Sequence, residues 1–290
     1  MDIRGLGLLM IERIIGRRMM WRVWRTLYYG ARRTGSLIMG SNGEELLQHA
    51  FAKQSARTGN PMQVLDIGAN LGDWTTTMLQ ALDSAGAPNA NIYAFEPVQV
   101  IREKLERRLA TPTRHTLTIC PQAVSEQAGT QEIICHGDDA GSHHLATEFM
   151  ERPGTRSVVD VVRLDERFPS NDIDLVKIDA EGFDPLIIRG AEALLAARHI
   201  GVIQFEYSAL FIRSRSYLYD IFEIARKHGY RVGLLTPTGI EVFDEWNHEL
   251  EQFIACNMVM CRPDTLEWLP AVRTVYRPDN TRETLPLACA

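Results

Sequence analysis

Val64-Leu65-Asp66-Ile67-Gly68-Ala69-Asn70-Leu71-Gly72-Asp73-Trp74-Thr75 is the stretch whose reading decides the fold. A short apolar run ends in a carboxylate, a glycine-rich turn follows, and a helix-like segment begins. Gly68 and Gly72 let the backbone bend tightly and approach a ligand without a Cβ in the way. Asn70, between them, is the non-glycine residue type that best tolerates a left-handed conformation. The helix after the turn points its free N–H groups at whatever is bound. This strand–turn–helix layout is one that wraps nucleotide-like ligands.

The turn does not fix the ligand by itself. A dinucleotide fingerprint reads G-x-G-x-x-G because the backbone must crowd a pyrophosphate. Here the pattern is D-x-G-x-N-x-G, with an acid at the end of the strand. A carboxylate there would repel a pyrophosphate. It would suit a ligand carrying a cationic amino group, as in the methionine half of S-adenosylmethionine.

Three further strands end the same way. Asn91-Ile92-Tyr93-Ala94-Phe95-Glu96-Pro97 is a β-branched and aromatic run closing on an acid. In doubly wound sheets the acid at the tip of the second strand accepts hydrogen bonds from ribose hydroxyls. Glu96 lies about 30 residues after Asp66, beyond the roughly 20-residue offset usual in such folds. The turn-rich insertion Ser84 to Ala90 accounts for the surplus. Ile173 to Ile178 leads into Asp179-Ala180-Glu181-Gly182, and Ile200 to Phe205 leads into Glu206. Ligands of open α/β sheets bind at the carboxyl ends of the strands, so acids at four such ends are hard to explain as solvated surface.

VLDIGANLGDWT, YAFEPV, DVVRLDE and DLVKIDAEGFDPLIIRGAEALL, in this order, resemble the FkbM family of S-adenosylmethionine-dependent methyltransferases. The resemblance covers roughly residues 60 to 210, and the DLVKIDAEGF block is its most specific part. It implies an α/β, class I methyltransferase (Rossmann-like) fold: a doubly wound, mostly parallel sheet with a final antiparallel strand. It also implies methyl transfer to a hydroxyl of a sugar, glycolipid or polyketide-type product. Carried over residue by residue, Asp66, Gly68, Asn70 and Gly72, with Asp73 and Trp74 behind them, form the cofactor turn. Glu96 and Pro97 form the ribose corner, and Asp179 and Glu181 match the acids of the KIDAEG block. Gln122 and Ala123, after the third strand, are expected near the adenine ring.

Methyl transfer from a sulfonium needs placement above all, and proximity alone can supply roughly 7–11 kcal/mol. A sugar hydroxyl is a poor nucleophile, and a positioned base adds about 10²–10⁴-fold. Glu181, Glu206 and His143 are the candidates for that base. Asp179 could equally orient the cofactor's amino group. Asp179, Glu181 and Glu206 also form an oxygen set able to hold Mg²⁺, but their spacing does not demand a metal and none is assigned. Two other readings compete. One is a nicotinamide-dependent oxidoreductase, against which the missing pyrophosphate glycine pattern speaks. The other is a non-catalytic partner-binding protein, which would not need four strand-end acids.

A chain of 290 residues with 45% apolar residues can bury one sizeable core. The formal charge of −6 gives no reason to expect nucleic acid as partner. The expected partner is a small molecule or glycan. Cys120, Cys135, Cys256, Cys261 and Cys289 are widely spaced, with no C-x-x-C pair, and read as buried thiols in a reducing, cytoplasmic compartment. No run approaches the 18 apolar residues a membrane span requires. Leu6 to Ile11 is too short for a signal peptide, with arginines close behind.

The N-terminus is basic: Arg4, Arg13, Arg17, Arg18, Arg22, Arg25, Arg32 and Arg33 face only Asp2 and Glu12. Apolar and aromatic residues sit among them, spread around much of a helical wheel drawn over 6–29. Packing against the domain or a second subunit, or peripheral contact with an anionic membrane, would each use such a helix. The expected organisation is a helical, basic appendage over 1–58, a methyltransferase domain over 59–264, and an extended tail over 265–290. Within the domain the pattern predicts strands at 63–67, 91–95, 116–120, 130–135, 157–163, 173–179 and 200–206. A helix is expected over 185–198 and another over 216–228. Residues 230–235 and 257–261 read as an antiparallel pair closing one edge of the sheet.

Overall fold

The structure is a computed structural model that describes residues 10–34, 39–135, 144–145 and 154–287. The chain divides into two compact units, Met1–Ser36 and Leu37–Ala290.

In the first unit, helical residues 10–15 are followed by Gly16 at φ 77°, and then by helix α1, Arg17–Arg32. Arg33 ends it in the left-handed conformation at φ 55°. The single helix expected over 6–29 is therefore interrupted, because Gly16 takes a backbone conformation that helices do not contain.

The second unit opens with α2 (Met39–Asn42) and α3 (Glu44–Thr58). The expected appendage boundary at 58 is displaced: α3 buries Leu47, Phe51 and Ala52 in a core cluster with Trp74, Met78 and Leu82. A ten-stranded sheet follows in the order β14-β13-β11-β10-β12-β9-β8-β1-β2-β3. Its parallel heart is β1 (Gln63–Ile67), β2 (Asn91–Phe95), β3 (Thr116–Cys120), β8 (Ile173–Ile178) and β9 (Ile200–Tyr207). The helices α4 (Asp73–Ala85) and α5 (Gln99–Arg108) connect its first strands. Successive residues of one strand enter opposite clusters, as the two-residue strand period requires. Leu65 and Val176 join one, Val64 and Leu175 the other. Both faces of the sheet are thus covered, the condition under which parallel strands are stable.

β12 (Cys256–Cys261) lies antiparallel between β9 and β10 (Arg231–Thr236). The antiparallel pair is present, but it does not close the edge. β11 (Gly239–Phe243), β13 (Ala271–Tyr276) and β14 (Arg282–Pro286) extend the sheet beyond it. The tail expected to be merely extended is a hairpin, with Thr274 buried. A second sheet, ordered β4-β7-β5-β6, is built from β4 (Ala123–Val124), β5 (Gly129–Cys135), β6 (His144–Leu145) and β7 (Thr155–Val162). Ala123, Ile133, Val159 and Val161 from it pack with Val98, Ile101 and Phe183. The helix expected over 185–198 is two short ones, α6 (Asp184–Arg189) and α7 (Glu192–Ala196). They part at Gly190, where a Cβ would sit 2.2 Å from the Ser125 carbonyl oxygen.

Gly182 shows what its loop requires. It has φ 97°, and a Cβ there would lie 2.1 Å from the Leu210 carbonyl oxygen, which is backbone and cannot move aside. Its smallness serves this close packing. Gly86 also has positive φ but nothing within 4 Å. Gly86→Ala should therefore cost about 1 kcal/mol. Gly182→Ala adds a backbone collision to the strain, for a total above roughly 2 kcal/mol. Paired urea unfolding curves check this, and equal losses at the two sites would contradict it.

Candidate active site

A cavity opens at the carboxyl ends of β1, β2, β8 and β9. Gly68, Asn70, Glu96, Pro97, Gln122, Ala123, Asp179, Glu181 and Glu206 line it, with Phe95, Val98, Ile133 and Phe183 as apolar wall. The parallel register brings the acids together. Asp66 is opposite Lys177 across β1–β8, and Lys177 is opposite Gln204 across β8–β9. Two residues beyond Lys177 and Gln204 lie Asp179 and Glu206.

The β1 turn is held by its left-handed residues, Gly68 at φ 77°, Asn70 at φ 51° and Gly72 at φ 81°. A Cβ on Gly68 would lie 2.0 Å from the Asp179 carbonyl oxygen, and one on Gly72 would lie 2.5 Å from Leu105 Cδ1. Both glycines thus let neighbouring elements close on the turn. The Gly68 and Ala69 N–H groups donate to the Phe95 carbonyl at 3.1 and 2.9 Å. Glu96 then clamps the corner. Its carboxylate accepts the N–H of Asn70 at 3.0 Å and of Val98 at 2.9 Å. Burial pushes the Glu96 carboxyl up to about 7, against the downward pull of the Val98 and Asn70 N–H groups and Arg102.

Asp66 is placed differently from the expectation. It is fully buried below the turn and does not line the cavity; its carboxylate accepts from Thr75 Oγ1 at 2.5 Å and faces Lys177 Nζ at 3.6 Å. Asp73 and Trp74 are also away from the cavity. Asp73 pairs with Arg108 on the surface, and the Trp74 side chain packs in the core against α3. Each follows from the helical phase after Gly72, which turns these side chains off the ligand side. His143 lies outside the described residues.

Lys177, Asp184, Gln204 and Arg213 were not foreseen. Lys177 Nζ is buried, 3.3 Å from Asp179 Oδ2 and 3.5 Å from the Gly68 carbonyl. Burial alone would lower the Lys177 ammonium's pKa; Asp179, Asp66 and Glu44 more than reverse this and keep it charged. The signal was present: a lysine two residues before Asp179, in the apolar second half of the strand, points to the same face. Gln204 Nε2 donates to the buried Glu44 carboxylate. Arg213 Nη1 donates to the Glu181 carbonyl at 3.0 Å, and lies 3.8 Å from its carboxylate. Glu181 itself is left-handed at φ 54°. Asp184, fully buried, accepts the Glu206 N–H at 3.2 Å. Burial, followed by the charge of Asp179, pushes Asp184 up to about 7. Burial, then Asp179, Asp184 and Glu181, pushes Glu206 up to about 8. Among the described residues no group of three or more His, Cys, Asp or Glu is arranged to hold a metal ion. Among them, too, no helix is long and apolar enough to cross a membrane.

The model of the methyltransferase FkbM domain matches residues 66–232, more than half of the chain. The chain belongs to the FkbM methyltransferase family. The match runs from the β1 turn through β8, β9 and into β10, so it contains every cavity residue named above. Membership sets aside the nicotinamide oxidoreductase reading. Among solved structures, the methyltransferase FkbM from Methylobacillus flagellatus KT is 14% identical with a TM-score of 0.43; 69% of this chain aligns with 43% of that one. A SAM-dependent methyltransferase from Agrobacterium tumefaciens is 13% identical, TM-score 0.39, covering 75% of this chain and 62% of that one. Fibrillarin from Aeropyrum pernix, in complex with natively bound S-adenosyl-L-methionine, is 11% identical, TM-score 0.38, covering 69% and 66%. No curated protein matches the sequence.

The raised carboxyls give a pH signature. A carboxyl whose folded value exceeds its unfolded one binds its proton more tightly when folded. The stability it contributes is present below the ordinary carboxylate range and is lost as pH rises to the folded value. For Glu206 that window runs from about 4.5 to about 8. Glu206→Gln should match the wild type near pH 4.5 and exceed it near pH 8.5 by a few kcal/mol, at roughly 1.4 kcal/mol per unit. Urea unfolding at the two pH values measures this. A wild type that gains on the variant as pH rises would contradict it.

Proposed function

We propose that this FkbM methyltransferase transfers a methyl group from S-adenosylmethionine to a hydroxyl of a sugar, glycolipid or polyketide-type product. The observation that carries the reading is the cavity at the strand ends, with Glu96 on one side and Asp179, Glu181 and Glu206 on the other. The residues present fit this cofactor. Glu96 is aimed by two backbone N–H groups and retains lone pairs for ribose hydroxyls. Gly68 and Asn70 offer a turn without bulk. Asp179 is partly exposed, with carboxylate oxygens for an ammonium. Phe95, Val98, Ile133 and Phe183 provide an apolar wall for a planar base, with Gln122 and Ala123 beside it. Asp66 acts from below, by holding Lys177 and Thr75.

The bound cofactor supplies a methyl group already activated by a positive sulfur. The protein's own task is to place a hydroxyl in line and to receive its proton. Glu181 and Glu206 face the cavity for this purpose, and His143 is a third candidate for the base. A carboxyl near 8 suits proton removal close to neutral pH, because a base works best when its value lies near the working pH. Arg213, donating to the Glu181 carbonyl and lying beside its carboxylate, fixes that side chain's direction.

The test uses S-adenosylmethionine carrying a labelled methyl group, with sugar, glycolipid and polyketide-type acceptors. Label should appear on an oxygen of one of them. Glu96→Ala should weaken cofactor binding measured by calorimetry by on the order of 1.5–3 kcal/mol. Replacing the true base, through Glu181→Gln, Glu206→Gln or His143→Ala, should lower turnover about 10²–10⁴-fold with cofactor affinity nearly intact. Label found only on nitrogen or carbon would overturn the hydroxyl acceptor. Unchanged affinity in folded Glu96→Ala would overturn the ribose assignment.

A further inference from the structure

Helix α1 reads RRMMWRVWRTLYYGAR and begins only after the Gly16 break. From Arg18 onward its two sides separate, and only Arg17, at the helix start, falls on the apolar side. Arg18, Arg22, Arg25 and Arg32 recur at four, seven and fourteen residues, which is one helical stripe. Met20, Trp24, Leu27 and Ala31 recur at four, seven and eleven, on the opposite side, with Met19 and Val23 beside them. The apparent spread of apolar residues came from drawing one continuous wheel across Gly16. The helix buries no residue, and Trp21, Trp24, Leu27 and Tyr28 are 65, 48, 57 and 44% exposed. Trp21 and Tyr28 flank Trp24 on the border between apolar and basic sides.

The charge is as one-sided as the packing. Seven arginines and no acid lie between Glu12 and Glu44, in a chain whose formal net charge is −6. An apolar face of methionine, valine, tryptophan and leucine beside an arginine stripe matches one environment in both respects. That environment is the interface of an anionic bilayer, where the apolar side enters the acyl boundary and the guanidinium groups meet phosphates. Tryptophan and tyrosine prefer the level between the two. A protein groove would answer the apolar face but would leave the arginine stripe in water.

We infer that α1 is a peripheral anchor that lies in the plane of an anionic phospholipid surface. The inference stands on α1 alone and does not depend on the reaction. The full chain should co-sediment with vesicles of phosphatidylcholine and phosphatidylglycerol, and not with phosphatidylcholine alone. Half-molar salt should weaken the binding more than about tenfold, because exposed charges are screened within a few ångströms there. Trp24→Glu and Leu27→Glu should each weaken it by about tenfold or more, as should Arg22→Gln combined with Arg25→Gln. All these side chains are exposed or border the solvent, so the thermal unfolding of the variants should be unchanged, and cofactor binding gives an independent check of folding. No binding to anionic vesicles would overturn the inference. Equal binding to neutral vesicles, or binding that survives Leu27→Glu, would do the same. So would a dimer in sedimentation velocity that Leu27→Glu dissociates while vesicles bind neither form, which would assign the face to a second copy of the chain.

Discussion

One buried cation organises this site. Lys177 lies within 3.3 Å of Asp179 and 3.6 Å of Asp66, and the field of Glu44 reaches it as well. Placing a charge in a protein interior costs several kcal/mol unless partners replace its water. Here the partners come from β1, β8 and the start of α3, so the charge ties these elements at one point. Its Nζ also approaches the Gly68 carbonyl at 3.5 Å. The floor of the cavity and the turn above it are therefore set by the same ammonium. Asp179 leans toward it from the cavity side, and burial, reinforced by that carboxylate, raises Asp184 and Glu206. Asp184 and Glu206, beyond the reach of that ammonium's contacts, hold their protons to higher pH than ordinary carboxyls.

The two sheets divide the labour. The parallel strands present acids at their ends, because that is where their connections leave the sheet and where backbone and side chains can converge. The smaller sheet supplies apolar cover through Ala123, Val124 and Ile133. Apolar walls around carboxylates strip away their water and so disfavour the charged form. This explains why Glu96 is raised to about 7 despite two N–H donors. The same physics that makes the pocket fit a planar, partly cationic ligand makes its empty acids costly.

Much of this was legible in the sequence because the informative residues are local. Strand ends at Asp66, Glu96, Asp179 and Glu206 follow from short apolar runs, and the cavity gathers Glu96, Asp179, Glu181 and Glu206 as expected. What the sequence hid depends on contacts distant along the chain. Asp66 was expected to face the ligand, but the lysine that captures it is on β8. Gly182 is required by the Leu210 carbonyl, which lies where a Cβ would be. Gly190 is held to glycine by the Ser125 carbonyl, which lies where a Cβ would be. The tail hairpin could not be read because β14 pairs only with β13 and carries mixed polar residues without strict alternation. Helix α1 was misread for a local reason: Gly16 shifts the helical phase, and a wheel drawn across it mixes two helices.

The dependence of the site on its buried cation can be tested by urea unfolding at pH 7.5 of Lys177→Met and of Lys177→Met combined with Asp66→Asn. Removing one side of a buried pair strands the other, at a cost of about 3–5 kcal/mol. Neutralising Asp66 as well should recover a measurable part of that loss, since the two residues share one interaction and their effects are not additive. That recovery is the predicted result. A Lys177→Met protein within about 0.5 kcal/mol of the wild type, or a double variant that loses the full sum of the two single effects, would contradict the account.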